Sequence, residues 1–393
     1  MTDEFCSWWL FATVGTVSLF FALLTTITIN QKLAEAKTND SAINVLFLLT
    51  VLPLYIMIAF TDSGIDYYNY YDHIQFYGKE GYSEKVYMEP LFFYTAKWIT
   101  SITGSIHFYL FLLKSTTIIV FFLSIYIIKE KINFFFSVLA YLAIIYPGSF
   151  YIIRQAFSGS LLCYAFVLFT FKNKRFIPII LMAIAMEFHY TAAVYLCAFP
   201  LCMLLKTQSP QKTKIGITLS FVGTFIILIA IFTKSSLLSY FSSAHYEEYM
   251  VVEQTYEGSG LLQFIYYIPA FFFILLLIKD ESKRSLVLLF LIFTEISFIC
   301  AELGYIIPVF IRMRYFSSVV FSIIIPYVLQ TLCIKTESEP EQHSWNFFGK
   351  ISFALYAFLI VYFTIRIVFD IAPLLQMEND SQLYWYHPMN PLF

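Results

Sequence analysis

Pro147-Gly148-Ser149-Phe150-Tyr151-Ile152-Ile153-Arg154-Gln155-Ala156-Phe157, and further on Glu187-Phe188-His189-Tyr190-Thr191-Ala192, are the stretches on which the reading of this chain turns. Each sets an ionisable side chain inside apolar sequence. Arg154 stands between Ile152-Ile153 and the run Gly159-Ser160-Leu161-Leu162-Cys163-Tyr164, and His189 separates two apolar segments. Charged groups are costly in lipid, so an ionisable residue within a membrane segment faces protein or water and marks a functional site by default. Arg154 and His189 are therefore expected to lie together near the outer face of a membrane and to hold an anionic ligand attached to a lipid.

Composition supports the membrane setting. Of the 393 residues, 60% are hydrophobic, 20% aromatic and only 13% charged, with a mean hydropathy of +0.74. A soluble domain carries about a quarter charged residues, and repeated apolar runs of transmembrane length identify an integral membrane protein. The net charge of -2 says little, because the two signs are segregated along the chain. Cys6, Cys163, Cys197, Cys202, Cys300 and Cys333 form no CxxC pair and read as small core residues, with no disulfide framework or zinc site. No Gly-rich phosphate loop and no nucleic-acid-binding motif is present, and the short basic loops leave no room for a soluble nucleotide-using domain.

Apolar runs at about 8–29, 43–60, 106–128, 133–150, 155–171, 176–188, 190–205, 215–233, 261–278, 285–303, 315–334 and 351–369 predict an all-α polytopic fold of about 12 transmembrane helices. They form a single transmembrane domain over 1–393, with outer loops at about 61–105 and 234–260. The run 91–103 is short and carries Lys97, so charge decides its status. If it does not cross, 15 of the 24 basic residues fall in one set of loops and seven, including Arg154, Arg312 and Arg314, in the other. The positive-inside rule then places both termini outside and makes 91–103 an outer re-entrant or surface helix. The first run, Trp8 to Ile29, follows Asp3 and Glu4 with no basic n-region, and so reads as a retained helix.

The runs 176–188 and 190–205 are short. At the helical rise they span roughly 20 and 24 Å, below a hydrocarbon core of ~30 Å. Merging them would invert every later loop against the charge rule. Two short or broken helices meeting at His189 are expected, and irregular backbone at that depth requires burial in protein or a watery cavity. A cavity open to the outside follows.

The candidate site residues have distinct chemistry. A guanidinium binds two phosphate oxygens at once and keeps its charge at any relevant pH. The alternative for each arginine is snorkelling to the headgroups, but three on the side depleted in basic residues favour function. Arg312 and Arg314 point about 200° apart on a helix, and Arg312 is the one favoured to share a site with Arg154. His189 is open to three roles: general base, phosphate donor or satisfied buried histidine. Asp62 and Asp66 stand in Asp62-Ser63-Gly64-Ile65-Asp66-Tyr67-Tyr68-Asn69-Tyr70-Tyr71-Asp72, where acids, an amide and aromatic faces suit sugars. The alternative for the tyrosines is an interfacial aromatic belt, which is favoured. No third ligand accompanies Asp62 and Asp66, so no metal site is expected. Glu187, Glu295, Glu302 and Lys114, inside apolar runs, read as structural pairs.

Asp66-Tyr67 with Tyr70-Tyr71, then Glu89-Pro90, Arg154-Gln155 opening a helix, Phe188-His189-Tyr190-Thr191-Ala192, and Arg312 followed by Tyr315-Phe316 occur in the order found in EpsG-type proteins. The chain resembles that family, which belongs with the Wzy-like polymerases of bacterial surface polysaccharides, from about residue 45 to the C-terminus. The resemblance implies a glycosyltransferase that joins undecaprenyl-pyrophosphate-linked oligosaccharide repeat units into O-antigen or related polysaccharide at the outer face of the bacterial inner membrane. No cofactor or metal is implied. Membrane lipid and a chain-length regulator protein are the further expected partners, and no nucleic acid is. On this reading Arg154, His189 and Arg312 are catalytic, and Asp62, Asp66, Tyr67, Glu89, Gln155 and Arg314 bind substrate.

Two other functions use the same architecture. A flippase for the lipid-linked repeat unit needs charges near the midplane and usually repeated halves, and neither is visible. A ligase that moves the finished glycan to another acceptor has nearly the same chemistry.

Overall fold

A computed structural model describes residues 3–35, 40–60, 67–76, 89–206, 283–303, 309–338, 354 and 357–361. Among them every regular element is helical, with no strand. The protein is an all-α, multi-pass membrane protein. Five described helices are long and apolar enough to cross a bilayer: Leu10–Leu33, Asp40–Ala59, Ile106–Ile127, Ile153–Phe171 and Arg312–Thr331. Phe134–Ile145, Phe176–Phe188 and Tyr190–Lys206 are shorter apolar helices. The expected spans at 215–233 and 261–278, and the expected loop at 234–260, lie outside the described residues. So does most of 351–369.

Helices α1 (Asp3–Glu35) and α2 (Asp40–Ala59) pack along each other, and α1 also packs on α6 (Phe134–Ala140). Lys32 near the end of α1 ties this hairpin together, donating to Asp40 at 2.5 Å and to Glu130 at 2.9 Å. Gln330 donates to Asn30 at 3.0 Å, and the Lys131 ammonium sits 5.7 Å from the Phe171 ring. These polar contacts collect at the end of the bundle that the charge rule assigns to the cytoplasm. Cysteine substituted at 36–39 is accordingly expected to resist impermeant maleimide in intact cells, and ready labelling from outside would invert the assignment.

The opposite end is made of interrupted helices. After α3 (Tyr67–Phe76), α4 (Pro90–Thr103) is 14 residues long, about 21 Å at the helical rise and short of a ~30 Å hydrocarbon core. The surface or re-entrant helix expected at 91–103 is thus present. Its inward face carries Phe92 and Ala96, both fully buried, and Tyr94, Trp98 and Ile102 are exposed at fourfold spacing on the other side. Trp and Tyr favour the headgroup layer. Gly104, at φ 72°, ends the helix in the left-handed conformation that glycine adopts without a side-chain clash. Ser105 then caps α5 (Ile106–Ile127) by accepting the Phe108 N–H at 3.2 Å.

α6 runs into a single π turn, Tyr141–Ile145, in which the Tyr146 N–H reaches back five residues to the Tyr141 carbonyl at 2.8 Å. Such turns insert one extra residue and recur near functional sites. Pro147, lacking an N–H, ends the run. The short α7 (Gly148–Tyr151) follows, and Ile152 at φ -109°, ψ 53° breaks the chain again before α8 (Ile153–Phe171). Tyr146 is fully buried and donates to the Leu54 carbonyl at 3.1 Å, which fixes this corner to α2.

α9 (Phe176–Phe188) ends where the sequence placed the junction, at an extended His189 (φ -159°). The segment expected to be one helix at 190–205 is broken again. A 3₁₀ turn, Tyr190–Ala192, leads to α10 (Ala193–Leu196) and, past Cys197, to α11 (Ala198–Lys206). Pro200 explains the second break, since its ring opposes the carbonyl four residues back at Leu196 and it offers no N–H. α8 is the centre of the described bundle, packed by α5, α9 and α13 (Val309–Ser338), while α12 (Arg284–Leu303) packs on α11 and α13. Lys114 is fully buried in α5.

Candidate active site

Glu89 is the point of convergence. It precedes Pro90, which favours extended backbone at Glu89 and preset helical geometry at the first position of α4. Glu89 has φ -61° and ψ 137°, and its carboxylate caps no backbone of its own helix. It turns instead to two other segments. One oxygen, Oε2, accepts from Arg154 Nη1. The other, Oε1, lies 3.1 Å from His189 Nδ1 and accepts the Tyr190 N–H at 3.3 Å. Three segments distant in sequence are thereby tied at one carboxylate.

Arg154 is in the first turn of α8, so its charge and the positive end of the helix dipole coincide. Its guanidinium carbon lies 4.9 Å from the Tyr70 ring centroid and 5.2 Å from that of Phe92. Aromatic faces attract cations at such distances, and here they orient the fork without neutralising it. Side-chain exposure is 8% for Glu89, 13% for His189 and 19% for Arg154. The group is thus tucked beneath the surface, with Arg154 the most exposed of the three. Burial pushes the Glu89 carboxyl up, but the His189 hydrogen bond and the Arg154 charge outweigh it and hold the group below the ordinary carboxylate value. Glu89 is ionised at neutral pH.

α13 closes the far side. The Phe316 ring lies 6.2 Å from the His189 ring, and the charge of Arg312 acts on His189. The neighbouring side chain on α8, Gln155, is buried and donates to the Arg312 carbonyl. Tyr195 of α10 donates to the Met313 carbonyl at 3.0 Å, and its hydroxyl lies 2.6 Å from that of Ser317. Gly148 and Gly159 permit this close approach: a Cβ at either would lie 3.0 or 3.3 Å from Tyr315 of α13. Counting Glu89 as an anion and Arg154 and Arg312 as cations, the cluster carries an excess of one positive charge, which suits an anion.

The structure therefore brings together Arg154, His189, Glu89, Gln155 and Arg312. Arg312 is exposed and Arg314, two residues on, is half-buried. Tyr67 opens α3, its side chain outside the described residues, as are Asp62 and Asp66 altogether. Tyr70, read from sequence as part of an interfacial belt, is buried against Arg154, and Phe92 was not singled out. A signal for Phe92 existed: it stands three residues after Glu89, on the same face of α4.

The helices define a multi-pass membrane protein, with the Glu89, Arg154 and His189 cluster at the end of the bundle opposite its basic loops. A family model, the EpsG family, matches residues 44–375, and the chain belongs to that family of polysaccharide polymerase-like membrane proteins. No curated protein matches the chain. No solved structure matches it either.

Proposed function

We propose that this chain is a polymerase that joins lipid-linked oligosaccharide repeat units at the outer face of the bacterial inner membrane. The observation that carries the reading is the placement of Arg154 in the first turn of α8, held by Glu89 and joined by His189 and Arg312 at the end of the bundle opposite its basic loops. A polyprenyl pyrophosphate has its tail in lipid, its diphosphate at the interface and its sugars in water. A cationic group just beneath the outer surface meets the second of these parts. Membership of the EpsG family supports polysaccharide as the product class.

The reaction is a displacement. A hydroxyl of one repeat unit attacks the anomeric carbon of the growing glycan, and undecaprenyl pyrophosphate leaves. Negative charge grows on the departing oxygens, and fixed cations near them lower the barrier. Arg154 and Arg312 are assigned to that charge. Asp62, Asp66 and Tyr67 of the outer loop, with Arg314, are assigned to the sugars and the outer rim, and Gln155 to holding α13 in place. A chain-length regulator is the expected protein partner.

The test is the glycan that cells display after loss of the gene. Polymerase loss is expected to leave a single repeat unit at the surface. Absence of any repeat unit would make the chain a flippase, and full-length polymer retained on its lipid carrier would make it a ligase.

A further inference from the structure

Resting on the polymerase reading, the contacts at Glu89 assign its role and that of His189. We infer that Glu89 is a positioning residue that locks His189 with Nε2 unprotonated, making Nε2 the proton acceptor for the attacking sugar hydroxyl, while Arg154 and Arg312 are left to serve the anion.

The deduction runs through donors and acceptors. Glu89 already accepts from Arg154 and from the Tyr190 N–H, so it is a carboxylate with acceptors only. The 3.1 Å contact with His189 Nδ1 then requires the proton on Nδ1. In the neutral ring the lone pair is consequently on Nε2, and a lone pair cannot donate to a phosphate oxygen. Of the three roles open from sequence, the neutral ring thus leaves no phosphate donor. The satisfied buried histidine is removed by a second observation: Nε2 is shielded from solvent and has no hydrogen-bond partner among the described residues. A buried acceptor left unpaired is costly, and such groups in folded proteins call for a functional account. A hydroxyl brought to Nε2 supplies the missing donor.

The charged groups acting on His189 from the packed segments are Glu89 before α4, Arg154 on α8 and Arg312 on α13. Burial favours the neutral, proton-accepting ring before reaction, and the two cations add to it. The carboxylate stabilises the imidazolium once the proton has moved. In the step itself the acceptor oxygen bonds the anomeric carbon as its proton passes to Nε2. The bond from that carbon to the pyrophosphate oxygen breaks, and both electrons leave with the polyprenyl pyrophosphate. Shielding of Nε2 has a use here: bulk water, which would hydrolyse the donor, is kept from the base.

The experiment uses the full chain reconstituted in bilayers, with the lipid-linked repeat unit that accumulates in cells lacking it as substrate. Polymer formation is followed against substrate concentration and pH. Wild type is expected to lose activity on the acid side as His189 protonates. His189→Gln should be slower by about 100-fold, with that acid limb flattened. Glu89→Gln should lower kcat by about tenfold or more with KM within about threefold. Its acid limb should move to lower pH, because a carboxylate that favoured the imidazolium is gone. If Glu89→Gln does not accumulate, Glu89→Asp decides. It keeps the charge beside Arg154, draws back from His189 and should show the same fall in kcat at constant KM. A raised KM with unchanged kcat would make Glu89 a substrate ligand and overturn the assignment. Unchanged kcat together with an unmoved acid limb, or full kcat in Glu89→Asp, would overturn it while the polymerase reading stood. Failure of wild type to form any polymer would remove the polymerase reading itself, and the assignment with it.

Discussion

Arg154→Lys is expected to remain in the membrane at normal level and to lose most polymerisation, by about 100-fold or more, the usual scale for removing a preorganised donor from a developing anion. Lysine keeps the charge beside Glu89, so the buried pair survives. It lacks the planar fork that engages two oxygens together and that lies against Tyr70 and Phe92. Alanine is the less informative change. It leaves the Glu89 carboxylate buried without its cation, and breaking such a pair costs about 3–5 kcal/mol, so protein level and chemistry would fall together. The measurement is glycan length in cells depleted of the native chain, with membrane protein quantified alongside. Near-normal long-chain glycan from Arg154→Lys would return Arg154 to a residue that merely reaches the headgroups.

The second large effect is expected on α8 itself. Gly159 faces α13 so closely that a Cβ there would lie 3.2 Å from Val319 Cγ2 and 3.3 Å from Tyr315 Cε1. Gly159→Ala forces those side chains back by a few tenths of an ångström. Gly159→Leu has nowhere to go and should separate the two helices, at the 1–3 kcal/mol typical of overpacking or above it. The loss falls on more than stability. The same face of the bundle carries the Gln155 bond to the Arg312 carbonyl, so parting the helices draws Arg312 away from Arg154. Gly159→Leu is expected to lower both protein level and polymerisation per molecule. Val319→Ala should restore part of the loss in Gly159→Ala, because neighbours couple where distant sites add. If Gly159→Leu accumulates and polymerises normally, the close packing of α8 on α13 does not set the site.

Much of the architecture was legible before any coordinates. Hydropathy places most described helices, charge asymmetry assigns 91–103 to the outer side, and the shortness of 176–188 locates the break at His189. These signals are periodic or additive, so they survive averaging over many residues. The breaks at Ile152 and Cys197, the π turn at Tyr141–Ile145 and the burial of Tyr70 were not legible. Each depends on a neighbour from another part of the chain or on a single hydrogen bond shifted by one residue. The same distinction holds at the site. Arginine and histidine inside apolar sequence announce themselves by their cost in lipid. Glu89 is singled out only through the resemblance, as a substrate ligand, and only the folded chain shows its carboxylate meeting both Arg154 and His189.

That one carboxylate serves two partners constrains how such a protein can diversify. On the proposed function, a contact to a sugar can be exchanged alone, altering which sugar is preferred. Glu89 admits no comparable adjustment, because moving it reorients a cation on one side and a base on the other. On that reading, sugar preference and bond-making chemistry are held by separable parts of the sequence, free to drift in one and pinned in the other.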